Sequence, residues 1–352
     1  MEGNATETRG PKSLALPLFL LLILAVSAAG TGQCYFSRHN LNAGLTCYAI
    51  GVVALVPVLV FQRQRKPSPV YQRGWFWALT LLVIGAGCFA RLYKITEIPP
   101  GCWIDEAING LDALEIIRTG QHHLYLTTMS SGRPPLFVEL LTIPFRIDPE
   151  PRVWVVRATA AISGCLGLLF FLLFVRTAFS DRLALVAAAF LAFSHWHVNH
   201  SRWGMEIILS PTCGALTLWL LFAALKQGKK WLFLLAGIAF GLGLYSYQNY
   251  RLFIIGVFVF LGYLVLFHRR SVKRHWLGLG IFLLASFLVV LPEAIYALKH
   301  MSHFTDRAKQ TVVWVGVESQ PRLVYERLSN SIRRTLLGFQ YQGGENARTN
   351  LP

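Results

Sequence analysis

The chain has 352 residues, 54% hydrophobic and only 14% charged, with a formal net charge of +16. Soluble domains carry about 25% charged residues, so the composition excludes an ordinary soluble protein and predicts an all-α integral membrane protein. On a soluble chain such a charge would point to nucleic acid. Here Lys and Arg gather in short loops between apolar runs, the pattern that sets membrane topology, and nucleic acid is not expected as a partner. Affinity for anionic lipid or for a phosphorylated substrate is the second reading of the charge.

Spans need about 20 mostly apolar residues. In chain order the candidates are Leu14–Ala29, Leu45–Phe61, Trp75–Ala90, Trp154–Phe174, Leu183–Phe193, Ile207–Leu225, Trp231–Leu244, Leu252–Phe267 and Trp276–Leu291, the shorter ones extending into their flanks. The first also resembles a signal peptide, with Lys12 before it and Ser27-Ala28-Ala29 behind. Arg63, Arg65, Lys66 and Arg73 form one basic loop; Arg176 and Arg182, then Lys226, Lys229 and Lys230, then Arg269, Arg270, Lys273 and Arg274 form the others. All four alternate correctly with the spans as cytoplasmic turns. The segments around Asp105, His195–Glu206 and Tyr245–Arg251 then fall on the extracytoplasmic side.

The connection from Arg91 to about Pro135 is too long for a simple link. Pro99-Pro100-Gly101 predicts a turn. Ile104, Ala107, Ile108, Leu111, Leu114 and Ile117 then recur at helical spacing, with Gly120 as the stop. This predicts an amphipathic helix in the interface plane, whose other face carries Asp105, Asn109 and Asp112. Leu136–Phe145, after Pro134-Pro135, predicts a second short helix, interfacial or re-entrant. After the last span comes a polar stretch with no closing element, which predicts that further spans or a terminal domain are missing.

Asp105 stands at the start of the loop helix, where a negative charge is favoured. A carboxylate there can take a proton from an attacking hydroxyl; the alternative is helix capping alone. Glu106 is a second candidate, either tuning Asp105 or binding a cation, or else a solvated first-turn residue. Arg133 suits a phosphate oxygen, or equally lipid headgroups. Arg202 and Glu206 share a helical face at i, i+4 and read as an ion pair lining the site. His195, His197 and His200, interleaved with Trp196 and Trp203, read as an interfacial belt rather than a metal centre. Tyr245, Tyr247, Tyr250 and Arg251 could line a sugar or polyprenyl pocket, or form another aromatic belt; Arg251 is a further phosphate candidate. Asn4-Ala5-Thr6 and Asn199-His200-Ser201 match the glycosylation sequon weakly. The six cysteines lack CxxC spacing and read as small core residues, although Cys34 and Cys102 could meet across one disulfide. No GxxxxGK[ST] run occurs, which argues against ATP-driven transport within this chain; GxSxG and HExxH are also absent.

A basic-flanked span leads into an outer loop with a turn and Asp105-Glu106. Arg133-Pro134-Pro135-Leu136 follows, then Arg157 at the head of the next span, then Ser201-Arg202 with Glu206. This set resembles the polyprenyl-phosphate-sugar-dependent membrane glycosyltransferases of the C-type fold, a group that includes protein O-mannosyltransferases and the lipid A aminoarabinose transferase. Gly241–Arg251 and Gly343-Gly344-Glu345-Asn346 also look like bacterial members. The resemblance runs roughly from Trp75 onward. It implies Asp105 as general base, Arg133 (where many relatives have Lys) on the lipid-linked phosphate, and inversion at the anomeric carbon. Two departures stand out: relatives carry about two more spans and often a soluble domain, and Leu14–Phe61 precedes their usual start.

The resulting expectation is a polytopic helical bundle of about nine spans with interfacial helices in its first large extracytoplasmic loop. Residues 1–74 form a two-span extension, 75–298 the transferase-like domain with catalytic loop 91–135, and 299–352 an extracytoplasmic segment. The expected activity moves a sugar from a polyprenyl-phosphate donor to a protein, lipid or envelope-glycan hydroxyl, within the lipid bilayer of a cell membrane. Asp105 and Glu106 are the catalytic candidates, and Arg133, Arg202, Glu206, Tyr247 and Arg251 the substrate-binding ones. No metal ligand is assigned and no cofactor is certain, a divalent metal being left open. The alternative is a transporter or flippase for lipid-linked or anionic solutes. Against it, the spans are nearly free of charge, polar residues concentrate outside them, and no internal repeat is seen.

Overall fold

The structure, a computed structural model, describes residues 73–126, 132–302 and 320–338, with isolated positions before residue 51. The helices fall in two units. Within Tyr71–Val315 lie α1 (Arg73–Leu92), α2 (Ile104–Thr119), α3 (Leu136–Ile147), α4 (Val153–Ala178), α5 (Asp181–Ala192) and α6 (His195–Arg202). A 3-10 turn at Glu206–Ile208 then leads to α7 (Leu209–Gln227), α8 (Lys230–Leu244), α9 (Tyr250–Phe267) and α10 (Arg269–Lys299). The other unit holds α11 (Pro321–Gly338), whose Leu323 and Leu328 are exposed beside Arg322 and Arg327.

Four helices among the described residues are long and apolar enough to cross a membrane: α4, the 3-10 turn with α7, α9 and α10. Phe76–Leu92 and α8 are shorter apolar helices. The expected bundle is therefore present in part, and Leu14–Ala29 and Leu45–Phe61 lie outside the described residues. Leu183–Phe193, expected to extend into its flanks as a span, does not. Ser180 accepts from the Leu183 N–H and starts α5, which stops at Ala192 after 12 residues; at 1.5 Å per residue that is only about 18 Å. α10 divides at His275, whose φ/ψ of −114°/16° is non-helical. Arg269, Arg270, Lys273 and Arg274 precede the break and the apolar stretch follows it.

Packing follows the logic of apolar solvent. α9 turns Leu252, Ile255, Phe258, Val259, Leu266 and Phe267 outward, as a lipid-facing helix must. The inward contacts use small residues. A Cβ on Gly237 of α8 would come within 2.4 Å of the Phe282 carbonyl oxygen of α10, and one on Gly164 of α4 within 2.1 Å of Ser201 Oγ. Gly167 meets Thr212 and Phe174 meets Phe222; Gly214 meets Phe253 and Phe222 meets Phe260. α4, α7 and α9 therefore run parallel, and the basic turns after them share one end. The opposite end gathers α2, α3, α6, the 3-10 turn and the α8–α9 turn. The hydrogen bonds that tie that end together define the site.

Candidate active site

The segment leading into α2 is clasped by two guanidiniums. Arg157, in the first turns of α4 and 1% exposed, donates to the carbonyls of Ile95 (3.3 Å), Pro99 (2.8 Å) and Gly101 (2.5 Å). Arg202, at the end of α6, donates to those of Ala90 (2.7 Å), Tyr93 (2.5 Å) and Ile98 (3.0 Å). A turn holding Pro99 and Pro100 has few amide donors of its own, so side chains from elsewhere satisfy its carbonyls. The clasped turn delivers Trp103 as N-cap of α2.

Glu106 is not the solvated residue expected. It is 1% exposed. It pairs with Arg157 through Nε–Oε1 at 2.8 Å and Nη2–Oε2 at 2.9 Å, and also accepts the N–H groups of Trp103 and Gly204, each at 3.0 Å. Both carboxylate oxygens are occupied, and Glu106 caps α2 by accepting the Trp103 N–H. Asp105, one residue earlier, is half-exposed in the first turn.

The polar face of α2 is rotated by one residue from the expected Asp105, Asn109, Asp112. Glu106, Asn109, Ala113 and Ile116 point inward, with Asp112 at their border, while Ile104 and Leu111 are 65% and 59% exposed. Arg133, 5% exposed, donates to Asn109 Oδ1 and to Asp112 Oδ2. Asn109 Nδ2 in turn donates to Gly204 O (2.9 Å) and to Glu206 Oε2 (3.2 Å). Glu206 thus joins the network through Asn109. No ion pair links it to Arg202, although i, i+4 spacing suggested one: α6 ends at Arg202, and Trp203–Met205 separates it from the 3-10 turn. Arg133 is fixed by the Leu126–Arg133 bridge, and its Nε is buried without a protein acceptor.

The histidine segment is structural in geometry. His197 is buried and its Nδ1 accepts from Arg91 Nη2 at 2.8 Å, which leaves the proton on Nε2. Burial, helped by the Arg91 charge, pushes His197 down to about 3, so it is neutral at working pH. His200 Nδ1 bonds Trp196 O and His195 Nε2 bonds Asn199. No group of three His, Cys, Asp or Glu side chains among the described residues could hold a metal ion. Asn199 and Ser201 of the sequon are buried inside α6, and Cys102 is a free, exposed thiol.

Across from α2 stands the α8–α9 turn. Its Tyr245 carbonyl accepts the Leu136 N–H (3.0 Å), and Gln248 Nε2 donates to Gly132 O (3.1 Å) and Tyr125 OH (3.3 Å). The turn is therefore tied to the bridged segment that positions Arg133. Tyr250 is core: 0% exposed, near Thr217 Oγ1 at 3.3 Å. Tyr247 and Arg251 are half-buried. Burial pushes the Tyr125 phenol up, and Arg251 beside it opposes that.

The structure gathers Asp105, Glu106, Arg133, Arg202 and Glu206 around α2, and places Tyr247 on the α8–α9 turn linked to Arg133 and Arg251 at the head of α9. Arg157 fixes Glu106; Asn109 and Asp112 fix Arg133, and Asn109 also holds Glu206. The sequence marks Arg157 at the head of its span, where an arginine in a hydrocarbon-facing helix demands a partner; that partner, Glu106, lies on another helix. For Arg202, holding the turn and holding a phosphate make different predictions. Arg202→Ala is expected to lower kcat several-fold or more while donor KM changes little, because slack in the turn misplaces α2. A rise confined to donor KM would instead put Arg202 on the phosphate.

Residues 132–296 match the family model for dolichyl-phosphate-mannose-protein mannosyltransferase. The match supports the resemblance to polyprenyl-phosphate-sugar membrane glycosyltransferases of the C-type fold. It opens beside Arg133 and closes at Tyr296. No curated protein matches the chain.

Proposed function

We propose that the chain transfers a sugar from a polyprenyl-phosphate donor to an acceptor hydroxyl, inverting the anomeric carbon, with Asp105 as general base. Multi-pass membrane glycosyl transfer of the mannosyltransferase type is what the family match supports. The observation that carries the finer reading is the division of labour in the first turn of α2. Glu106 is buried and saturated, whereas Asp105 is half-exposed on a turn held by Arg157 and Arg202.

The acceptor oxygen attacks the anomeric carbon from the face opposite the phosphate. Its proton passes to the Asp105 carboxylate as the new C–O bond forms. The bond from the anomeric carbon to the phosphate oxygen breaks, and the phosphate leaves with the electron pair. Phosphate is a good leaving group, so cationic hydrogen-bond donors suffice and a carboxylic acid is not required. Arg133 supplies them: its Nη groups are fixed by Asn109 and Asp112, and its buried Nε still lacks an acceptor. Asp105 and Asp112 lie seven residues apart on α2, about 10 Å along its axis, which leaves room for the sugar between base and phosphate. Ile104 and Leu111, turned outward, set α2 at the depth where a lipid-linked headgroup lies. The basic turns at the far end support an extracytoplasmic position for this face. Protein, lipid and envelope-glycan hydroxyls are the acceptor classes to compare.

The test uses the purified protein in lipid nanodiscs with a polyprenyl-phosphate mannose of known configuration and each acceptor class. Product of inverted configuration is expected by NMR. Retained configuration, or lipid flux without any glycosylated product, overturns the reading. Arg133→Ala is expected to raise donor KM about 10- to 100-fold, the loss of a charge-assisted hydrogen bond. An unchanged KM removes Arg133 from the phosphate.

A further inference from the structure

Glu293 has no role in the network around α2, yet it is buried, 6% exposed, immediately after Pro292 near the site end of α10. Its Oε2 has no hydrogen-bond partner, and no other carboxylate among the described residues has a buried oxygen left so. Arg251 at the head of α9 lies within electrostatic reach, as do the phenols of Tyr125 and Tyr245. Arg251 offsets the charge but does not fill the lone pairs of Oε2.

A carboxylate oxygen withdrawn from water is costly while its hydrogen bonds stay unmade. Protein donors close by are turned elsewhere: Tyr245 OH donates to Val289 O (2.9 Å), and Gln248 Nε2 donates to Gly132 O and Tyr125 OH. The place is also walled by rings. Tyr125 faces Tyr296 with centroids 6.3 Å apart, and Tyr296 stacks on His300 at 4.4 Å. A buried acceptor, a cation and aromatic faces together suit a polyhydroxylated ring, whose hydroxyls donate and whose C–H face stacks. Tyr125 adjoins Leu126, the bridge partner of Arg133, so such a ring would sit beside the proposed phosphate site.

We propose that Glu293 accepts hydrogen bonds from hydroxyl groups of the donor's sugar and, with Arg251, determines which sugar is taken. The assignment rests on the glycosyl-transfer reading above. A site built around a substrate hydroxyl rejects the analogue that lacks or misplaces it far better than an apolar pocket does.

The full chain in nanodiscs is titrated with polyprenyl phosphate, polyprenyl-phosphate mannose and polyprenyl-phosphate glucose, for wild type, Glu293→Gln and Glu293→Ala. Wild type is expected to bind one sugar-bearing lipid better than the sugarless one. In Glu293→Ala that preference should fall about tenfold or more, with affinity for polyprenyl phosphate unchanged; Glu293→Gln, which keeps an acceptor oxygen, should fall between. The assignment is overturned if both variants keep the wild-type preference, if they weaken all three lipids equally, or if neither folds, any of which makes Glu293 structural. Asp105→Asn separates the two readings, since it should slow transfer about 10²- to 10⁴-fold yet keep the sugar preference. A wild type that transfers nothing and binds all three lipids alike defeats glycosyl transfer itself. A wild type that transfers while the Glu293 variants keep their preference defeats only the Glu293 assignment.

Discussion

Asp105→Asn is expected to lower turnover about 10²- to 10⁴-fold, the range for loss of a positioned general base, with donor affinity little changed. The amide has the carboxylate's shape, so the Arg157 and Arg202 clasp and the start of α2 should survive. What disappears is the ability to take the acceptor's proton as the oxygen attacks. Asp105→Ala should lose a similar factor, because the shape of the side chain is not what the step uses. Steady-state kinetics at saturating donor, with thermal unfolding as a control, reads the effect. Wild-type turnover in both folded variants would exclude Asp105 as the base. Glu106 cannot substitute, since both its oxygens are filled by Arg157 and two backbone N–H groups.

Much of α2 was legible in the sequence. Its apolar spacing, its start beside Asp105 and its stop at Gly120, which has a left-handed φ of 69°, all follow from local chemistry. The orientation of its faces was harder. In water the apolar face seeks the core; at a bilayer it can turn outward and leave polar groups to pack inside. Ile104 and Leu111 therefore point out, and Glu106 and Asn109 point in. The pairings that hold the site were invisible for another reason: Arg157 and Glu106 are 51 residues apart, and Arg91 and His197 are 106 apart. Spacing rules describe neighbours on one helix, and these contacts join different helices. Arg202 and Glu206 show the same limit at short range, because the helix ends between them. Glu293 lay hidden at the tail of an apolar run, and only its burial without a donor distinguishes it.

Arg157→Met is expected to destabilise the protein by about 3–5 kcal/mol, the cost of leaving one member of a buried pair without its countercharge. Both side chains are 1% exposed, so water cannot take over. Glu106 would keep the Trp103 and Gly204 N–H groups, but the carbonyls of Pro99 and Gly101 would lose their donors as well. Adding Glu106→Gln removes the stranded charge and should restore part of the loss, with a coupling of about 0.5–3 kcal/mol in a double-mutant cycle. Thermal unfolding in nanodiscs measures the cycle; strictly additive effects would mean that the pair contributes nothing as a pair. The folded fraction of Arg157→Met carries a second consequence. If the clasp positions Asp105, that fraction should show a lowered kcat, since small displacements of a base from its attack geometry are costly. Normal turnover per folded molecule would confine Arg157 to stability and leave the placement of Asp105 to Arg202 and the N-terminal turn of α2.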